Sequence, residues 1–238
     1  MKPSYRRPKG FTRLEWLVVI LILAALAALC APTILKQKKA ADRTKALSNI
    51  KQMGMMLFEF DNEYGKFPDD ETAEEVKRRT KTDFKLTGQF SNDYFRQMLA
   101  GAGGKSEKPF WCKTAQSPKN ADDNFSTPAK ALEPGEVGYS YIMVSRTTGQ
   151  RSKDEPSRPV IMTPSYNFQP DWTFDPEPYG GKAVILRLDN SATPMLIRED
   201  SWRVSTHSGK TLGDTGDNTP WGKDITPYLR APQPRGGK

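Results

Sequence analysis

His207 is the single histidine of the chain, so a Ser-His-Asp arrangement would have to use it and a multi-histidine metal site is excluded. It stands in S-T-H-S-G at the head of a polar segment, the setting of an exposed loop residue. There is no phosphate-binding glycine loop and no C-x-x-C pair. The ionisable group whose position asks for an explanation is Glu15. It directly precedes a run from Trp16 to Leu35 that carries no charge. An ionisable group at membrane depth costs roughly 2.5 to 3.5 kcal/mol on insertion scales, so an acid there implies a partner.

The element that positions Glu15 is the stretch K-G-F-T-R-L-E-W-L-V-V-I-L-I-L-A-A-L-A-A-L-C-A-P-T-I-L, Lys9 to Leu35. Its uncharged part, at about 1.5 Å per residue, reaches about 30 Å, the thickness of a bilayer's hydrocarbon core. A cleaved secretory signal would have an apolar region of about 7 to 15 residues, followed by a small-residue cleavage site. Here the run is longer and an amphipathic pattern follows it. A plain uncleaved anchor accommodates the length but gives Glu15 no role.

At these residues the chain resembles the prepilin-type N-terminus of type IV pilins and type II secretion pseudopilins: a basic leader, then G-F-T, an acid at Glu15 and a long apolar helix. The resemblance implies that a prepilin peptidase cuts between Gly10 and Phe11 and that the new terminus at Phe11 is N-methylated. It implies that the Phe11 amino group pairs with Glu15 of a neighbouring subunit and so helps set the register of an assembly. Removing one partner of such a buried pair typically costs about 3 to 5 kcal/mol. Pro32 falls where helices of this family often carry a proline. Arg13 stands where an apolar residue is usual. It cannot readily face its own Glu15, because residues two apart on a helix point to different sides. It is placed to snorkel to the interface or to compete for a neighbour's carboxylate.

The formal charge of +8 does not signal nucleic-acid binding. Lys2, Arg6, Arg7 and Lys9 lie in the leader, whose loss leaves +4, and no compact basic and aromatic motif remains. A mean hydropathy of -0.68 alongside so apolar a stem means that the apolar content is concentrated there. Basic residues flank both ends of the span: Arg6, Arg7, Lys9 and Arg13 on one side, Lys36, Lys38, Lys39, Arg43 and Lys45 on the other. The resemblance, rather than charge, therefore implies a periplasmic C-terminal domain. Cys30 lies in the apolar run and Cys112 beyond it, so two unpaired thiols are expected, with Cys112 a small buried residue.

Leu47, Ile50, Met53, Leu57, Phe60 or Asp61, and Tyr64 recur at steps of three or four, predicting an amphipathic continuation of one helix from about Phe11 to Tyr64. Gly65 terminates it and Pro68 prevents its resumption. The cluster Met53, Met55, Met56, Leu57, Phe58 reads as core against a sheet. The turn D-N-E-Y-G-K-F-P, Asp61 to Pro68, is similar to the turn that ends the long helix in pseudopilins. Thr72 and Glu75 predict a capping box opening a short charged helix, supported by Glu74–Arg78 and Glu75–Arg79 pairs. A second short helix is predicted over Asn92 to Ala100, capped by Ser91 and stopped at Gly101.

Strands are predicted at Val137–Ser145 and Pro159–Thr163, and a hairpin at Ala183–Leu188 and Thr193–Arg198 around Asp189, Asn190 and Ser191, where Asn adopts the left-handed conformation. The order P-F-W-C, G-Y-S-Y-I-M, P-V-I-M and G-G-K-A-V-I-L-R-L-D-N-S-A-T-P-M is similar to a subgroup of large prepilin-type proteins that end in a G-G-x-x-V-x-x-x-D-G-S-V hairpin. In this chain Asn190 replaces the usual glycine. From Ser205 the composition predicts a polar, mobile tail, in which Trp221, Ile225, Tyr228 and Leu229 could dock a short segment. Trp172, Phe174 and Tyr179 in P-D-W-T-F-D-P-E-P-Y-G-G read as aromatics pinning a loop to its own domain. The competing reading is a contact for a partner or glycan. Because some pseudopilins hold calcium in a C-terminal loop, Asp214, Asp217 and Asn218 are the metal candidates, although their spacing is not that of an EF-hand; no cofactor is otherwise expected.

The fold class expected is α+β, a pilin-like lollipop: a long N-terminal helix, half membrane-spanning and half amphipathic, on a small antiparallel sheet with long loops. The expected organisation is a leader at 1–10, a membrane half of the helix at 11–35, an amphipathic half at 36–65, an exported domain at 66–204 and a tail at 205–238. The chain is expected to be no enzyme but a structural subunit, minor by its size and unshared loops, of a type II secretion pseudopilus or a type IV pilus. By the resemblance, its partners are a prepilin peptidase, other pilin or pseudopilin subunits, an inner-membrane assembly platform and the lipid bilayer, with no nucleic acid. The alternatives are a surface-binding module on a pilin-like stem and an unprocessed single-pass anchored domain.

Overall fold

The computed structural model describes residues 12–114, 119–206 and 208–236. The chain divides into two compact units, residues 1–39 and 40–238. Helix α1, Arg13–Tyr64, contributes to both. In the first unit its run from Trp16 to Leu35 is uncharged and mostly apolar on all sides, and Leu14, Trp16, Leu17, Val18, Ile20, Leu21, Leu23, Leu26 and Leu29 are all exposed. A helix without a polar face buries no stripe against its own domain; it suits an apolar solvent or like neighbours. By length and composition α1 is apolar enough to cross a membrane. It continues through Pro32, where the missing N–H removes one rung to the carbonyl four residues earlier.

In the second unit α1 becomes one-sided. Ala46, Ile50, Met53, Leu57 and Phe60 are buried at steps of three or four, and the helix ends at Gly65, whose φ of 81° is the left-handed geometry of a helix-terminating glycine. Met55, expected in the core, is exposed because its position falls off that stripe. Against the stripe lies a five-stranded antiparallel sheet: β1, Ser140–Met143; β2, Pro159–Met162; β3, Lys182–Arg187; β4, Ala192–Leu196; and β5, Tyr228–Arg230, in the order β4-β3-β2-β1-β5. Tyr141, Val184 and Leu186 pack with Ile50, Met53 and Leu57 in one cluster. The alternate residues Ile142, Ala183 and Ile185 face a second cluster with Leu212, Trp221 and Leu229. The hydroxyls of Tyr139 and Tyr141 donate to the Ala46 and Pro68 carbonyls at 2.8 and 2.9 Å, tying the sheet to the helix and its exit turn.

That second face corrects the mobile tail expected from Ser205. Both faces of the sheet are apolar, so both need cover. Trp221 is buried and its Nε1 donates to the Leu212 carbonyl at 2.7 Å, while residues 228–230 form the edge strand beside β1. The first expected strand, Val137–Ser145, shortens to β1 at Ser140–Met143. Just before it, a side chain at Gly138 would meet the Cys112 backbone at 2.5 Å, so only glycine admits that approach.

The hairpin lies where it was expected. β3 and β4 pair from Lys182 with Leu196 to Leu186 with Ala192, and Asn190 takes a φ of 60°. Two short helices complete the unit: α2, Asp70–Thr80, and α3, Ser91–Gly101. The cap of α2 is Asp69 and not Thr72. Asp69 Oδ1 accepts the Thr72 N–H at 2.8 Å and Thr72 Oγ1 accepts the Asp69 N–H at 2.8 Å, which places Thr72 in the helix as the reciprocal partner. Glu75 does pair with Arg79, and also with Arg78. Ser91 is the first residue of α3 and not its cap, its Oγ donating to the Tyr139 carbonyl at 2.7 Å.

Candidate assembly site at the head of the long helix

Gly10 and Phe11 lie outside the described residues, as does His207. The first turn of α1 begins on Thr12, whose carbonyl accepts the Trp16 N–H at 3.2 Å. Thr12 Oγ1 accepts the Glu15 N–H at 3.2 Å, and Glu15 Oε2 accepts the Thr12 N–H at 2.7 Å and its hydroxyl at 2.9 Å. This is a reciprocal capping box, in which two orphan N–H donors of the helix start are satisfied by side chains. The acid also lies at the positive end of the helix dipole. The signal was the spacing T-R-L-E, a capping pattern that a reading of Glu15 as an unpaired membrane acid passes over.

The box fixes where the carboxylate points without exhausting it. Among the described residues both bonds fall on Oε2, leaving Oε1 for a further donor. Beyond Glu15 the exposed residues include Trp16, Leu17 and Val18, so the head presents one acid on an otherwise apolar rod, with Arg13 exposed beside it.

The remaining sequence candidates separate. Phe174 and Tyr179 are buried, and the Tyr179 hydroxyl donates to the Lys113 carbonyl at 2.6 Å. Trp172 is half-buried, with its ring where a side chain at Gly213 would sit. The aromatic loop is thus pinned to its own domain. Asp214 Oδ2 accepts the Thr211 N–H at 2.7 Å, Asp217 pairs with Lys223 at 3.0 Å, and the Asn218 carbonyl accepts from Ser208 Oγ. These calcium candidates are committed to protein partners in this arrangement, and no role is assigned to calcium. Cys30 and Cys112 are free thiols; burial pushes the Cys112 thiol up to about 12.

A separate acidic group was not legible in the sequence because its members come from three loops. Single carboxylate oxygens of Glu107, Asp122 and Glu136 lie within 4.8 Å of one another. The Lys119 ammonium already serves this cluster, 3.0 Å from Glu136 and 3.4 Å from Asp122, with Glu133 also in contact. Glu107 Oε1 accepts the Leu132 N–H at 2.6 Å while Oε2 is buried without a partner among the described residues. Burial pushes this carboxyl up to about 7, against the lowering effect of the Leu132 N–H. Burial raises Glu136 as well, with Lys119 opposing it.

A long N-terminal helix, apolar in its first part, and a small antiparallel sheet packed on its second part define an α+β, pilin-like chain. In sequence it is similar to type II secretion system core protein G. The protein of that name from Dickeya chrysanthemi is 40% identical over 63 residues, 26% of this chain and 41% of that one. The one from Pectobacterium carotovorum subsp. carotovorum is 40% identical over 65 residues, 27% of this chain and 42% of that one. The one from Aeromonas hydrophila is 42% identical over 59 residues, 24% and 41% of the two chains. The chain therefore spans about two fifths of the length of the curated relatives it matches. No protein-family model matches it, and no solved structure matches it.

Proposed function

We propose that this chain is a subunit of a type II secretion pseudopilus, assembled by packing of its N-terminal helix. The observation that carries this reading is the 40% identity to core protein G over about a quarter of the chain. The exposed, uncharged run of α1 from Trp16 to Leu35 supports it, because such a surface favours lipid or like helices around it. The finer reading has residues 1–10 removed by a prepilin peptidase and Phe11 methylated. Residues 11–35 are then held in the inner membrane, with residues 66–204 and the segment after them in the periplasm. In an assembly, the Phe11 amino group of one subunit reaches the Oε1 atom that the Thr12 box leaves on a neighbour's Glu15. An assembly platform and other pseudopilins are the partners, and the chain's size and long loops make it a minor subunit.

Expression with and without a prepilin peptidase tests the processing step. Intact-mass measurement is expected to give a chain beginning at methylated Phe11 with the peptidase and at Met1 without it. A chain that keeps Met1 in both strains contradicts the proposal.

A further inference from the structure

At the free edge of the sheet, β5, the loop after β1 and the start of α2 enclose a cavity of about 660 Å³ lined by Asp70, Tyr94, Arg146, Phe168, Tyr228 and Arg230. Arg230 is 5% exposed. Its guanidinium lies 4.5 Å from the Tyr228 ring centre and 5.2 Å from that of Tyr94, and the Arg146 guanidinium lies 5.6 Å from Tyr228. Arg230 Nη2 donates to the Arg146 carbonyl, whereas its Nε is buried with no partner among the described residues. Among the described residues no carboxylate forms an ion pair with either guanidinium. Asp70, the acid in the cavity wall, accepts the Tyr94 hydroxyl at 2.8 Å.

Buried charges are as a rule paired, because removing a cation from water without a counter-charge is expensive. Aromatic faces locate a guanidinium and repay part of that cost, but they do not neutralise it. Two guanidiniums sharing one tyrosine ring, with a single acid already engaged, leave a net positive cavity. A guanidinium matches the plane of a carboxylate, and Phe168, Phe90 and Pro170 in the wall supply apolar surface for the body of such a ligand.

We propose that this cavity is a binding site for an organic carboxylate, held by Arg230 and Arg146, which the Tyr228 ring positions. It is independent of the assembly reading of α1. The test is calorimetric titration of the full chain in detergent micelles with benzoate, with benzamide as the uncharged shape and with inorganic phosphate as the non-planar anion. Saturable benzoate binding is expected, about tenfold or more tighter than benzamide or phosphate. Arg146→Gln is expected to weaken it about fivefold or more and Arg230→Gln to abolish it. Should Arg230→Gln not fold, the exposed Arg146 decides. Absence of benzoate binding, equal binding of benzamide, tighter binding of phosphate, or an unaffected Arg146→Gln would each overturn the assignment.

Discussion

Glu15 does two jobs that a single substitution confuses. As the far member of the Thr12 box it starts the helix, and under the proposed assembly its Oε1 would be the group offered to a neighbour's amino terminus. Glu15→Ala removes both and costs about 1 kcal/mol at the cap alone. Glu15→Gln keeps an oxygen for the Thr12 N–H and loses only the charge. If charge sets the register, Gln and Ala variants are cleaved and inserted yet co-assemble equally poorly, read by recovery in sheared filaments. Gln assembling like wild type would reduce Glu15 to a cap. Glu107 carries a pH signature. Its carboxyl sits near 7 in the folded chain against an ordinary 4.5, so the folded state binds more protons between those values. Stability therefore falls as pH rises from about 4.5 through 7 and is flat below that window. Glu107→Gln keeps the oxygen that faces the Leu132 N–H, so its melting temperature should exceed wild type at pH 8, with the advantage gone at pH 4.5. A constant difference at both would remove the titration of Glu107 from the account.

At the scale of elements, the closest approach is that of α1 to the hairpin. A side chain at Gly54 would meet Asn190 Oδ1 at 2.2 Å, and Asn190 holds a positive φ in the turn. Gly54→Ala gains about 1 kcal/mol of helix propensity but strikes that amide, so it should lower the melting temperature. Asn190→Gly removes the amide and suits the left-handed turn, so the double variant should melt at or above wild type. Additive losses would mean that the two positions do not meet. Much of this layer was legible: the helix stripe, its end at Gly65 and the hairpin at Asn190 follow from local periodicity and turn chemistry. What was not legible depended on distant partners. The apolar residues after Ser205 are too sparse to show a period, and they are ordered because the second face of the sheet needs cover. Two capping boxes compete for the same local pattern. At α2, Asp69 takes the role expected of Thr72, while the box at Thr12 went unread because Glu15 invited a membrane explanation. The Lys119 and Arg230 clusters join residues far apart in sequence, which periodicity cannot bring together.

For the whole molecule, two units with different surfaces imply different surroundings. Residues 16–35 expose apolar side chains on every side, whereas residues from Ala40 onward build a core of their own around the sheet. Such an apolar head is costly in water at roughly 25 cal/mol per Å² of apolar surface, which favours its transfer to lipid or its packing against like helices. Under the proposed function the second is the working state. The most direct measurement is mass spectrometry of this chain in the sheared-filament fraction of cells that assemble a type II secretion pseudopilus. The account predicts the chain in that fraction, beginning at Phe11; its absence from filaments, with a chain beginning at Met1 retained in the membrane, would contradict it.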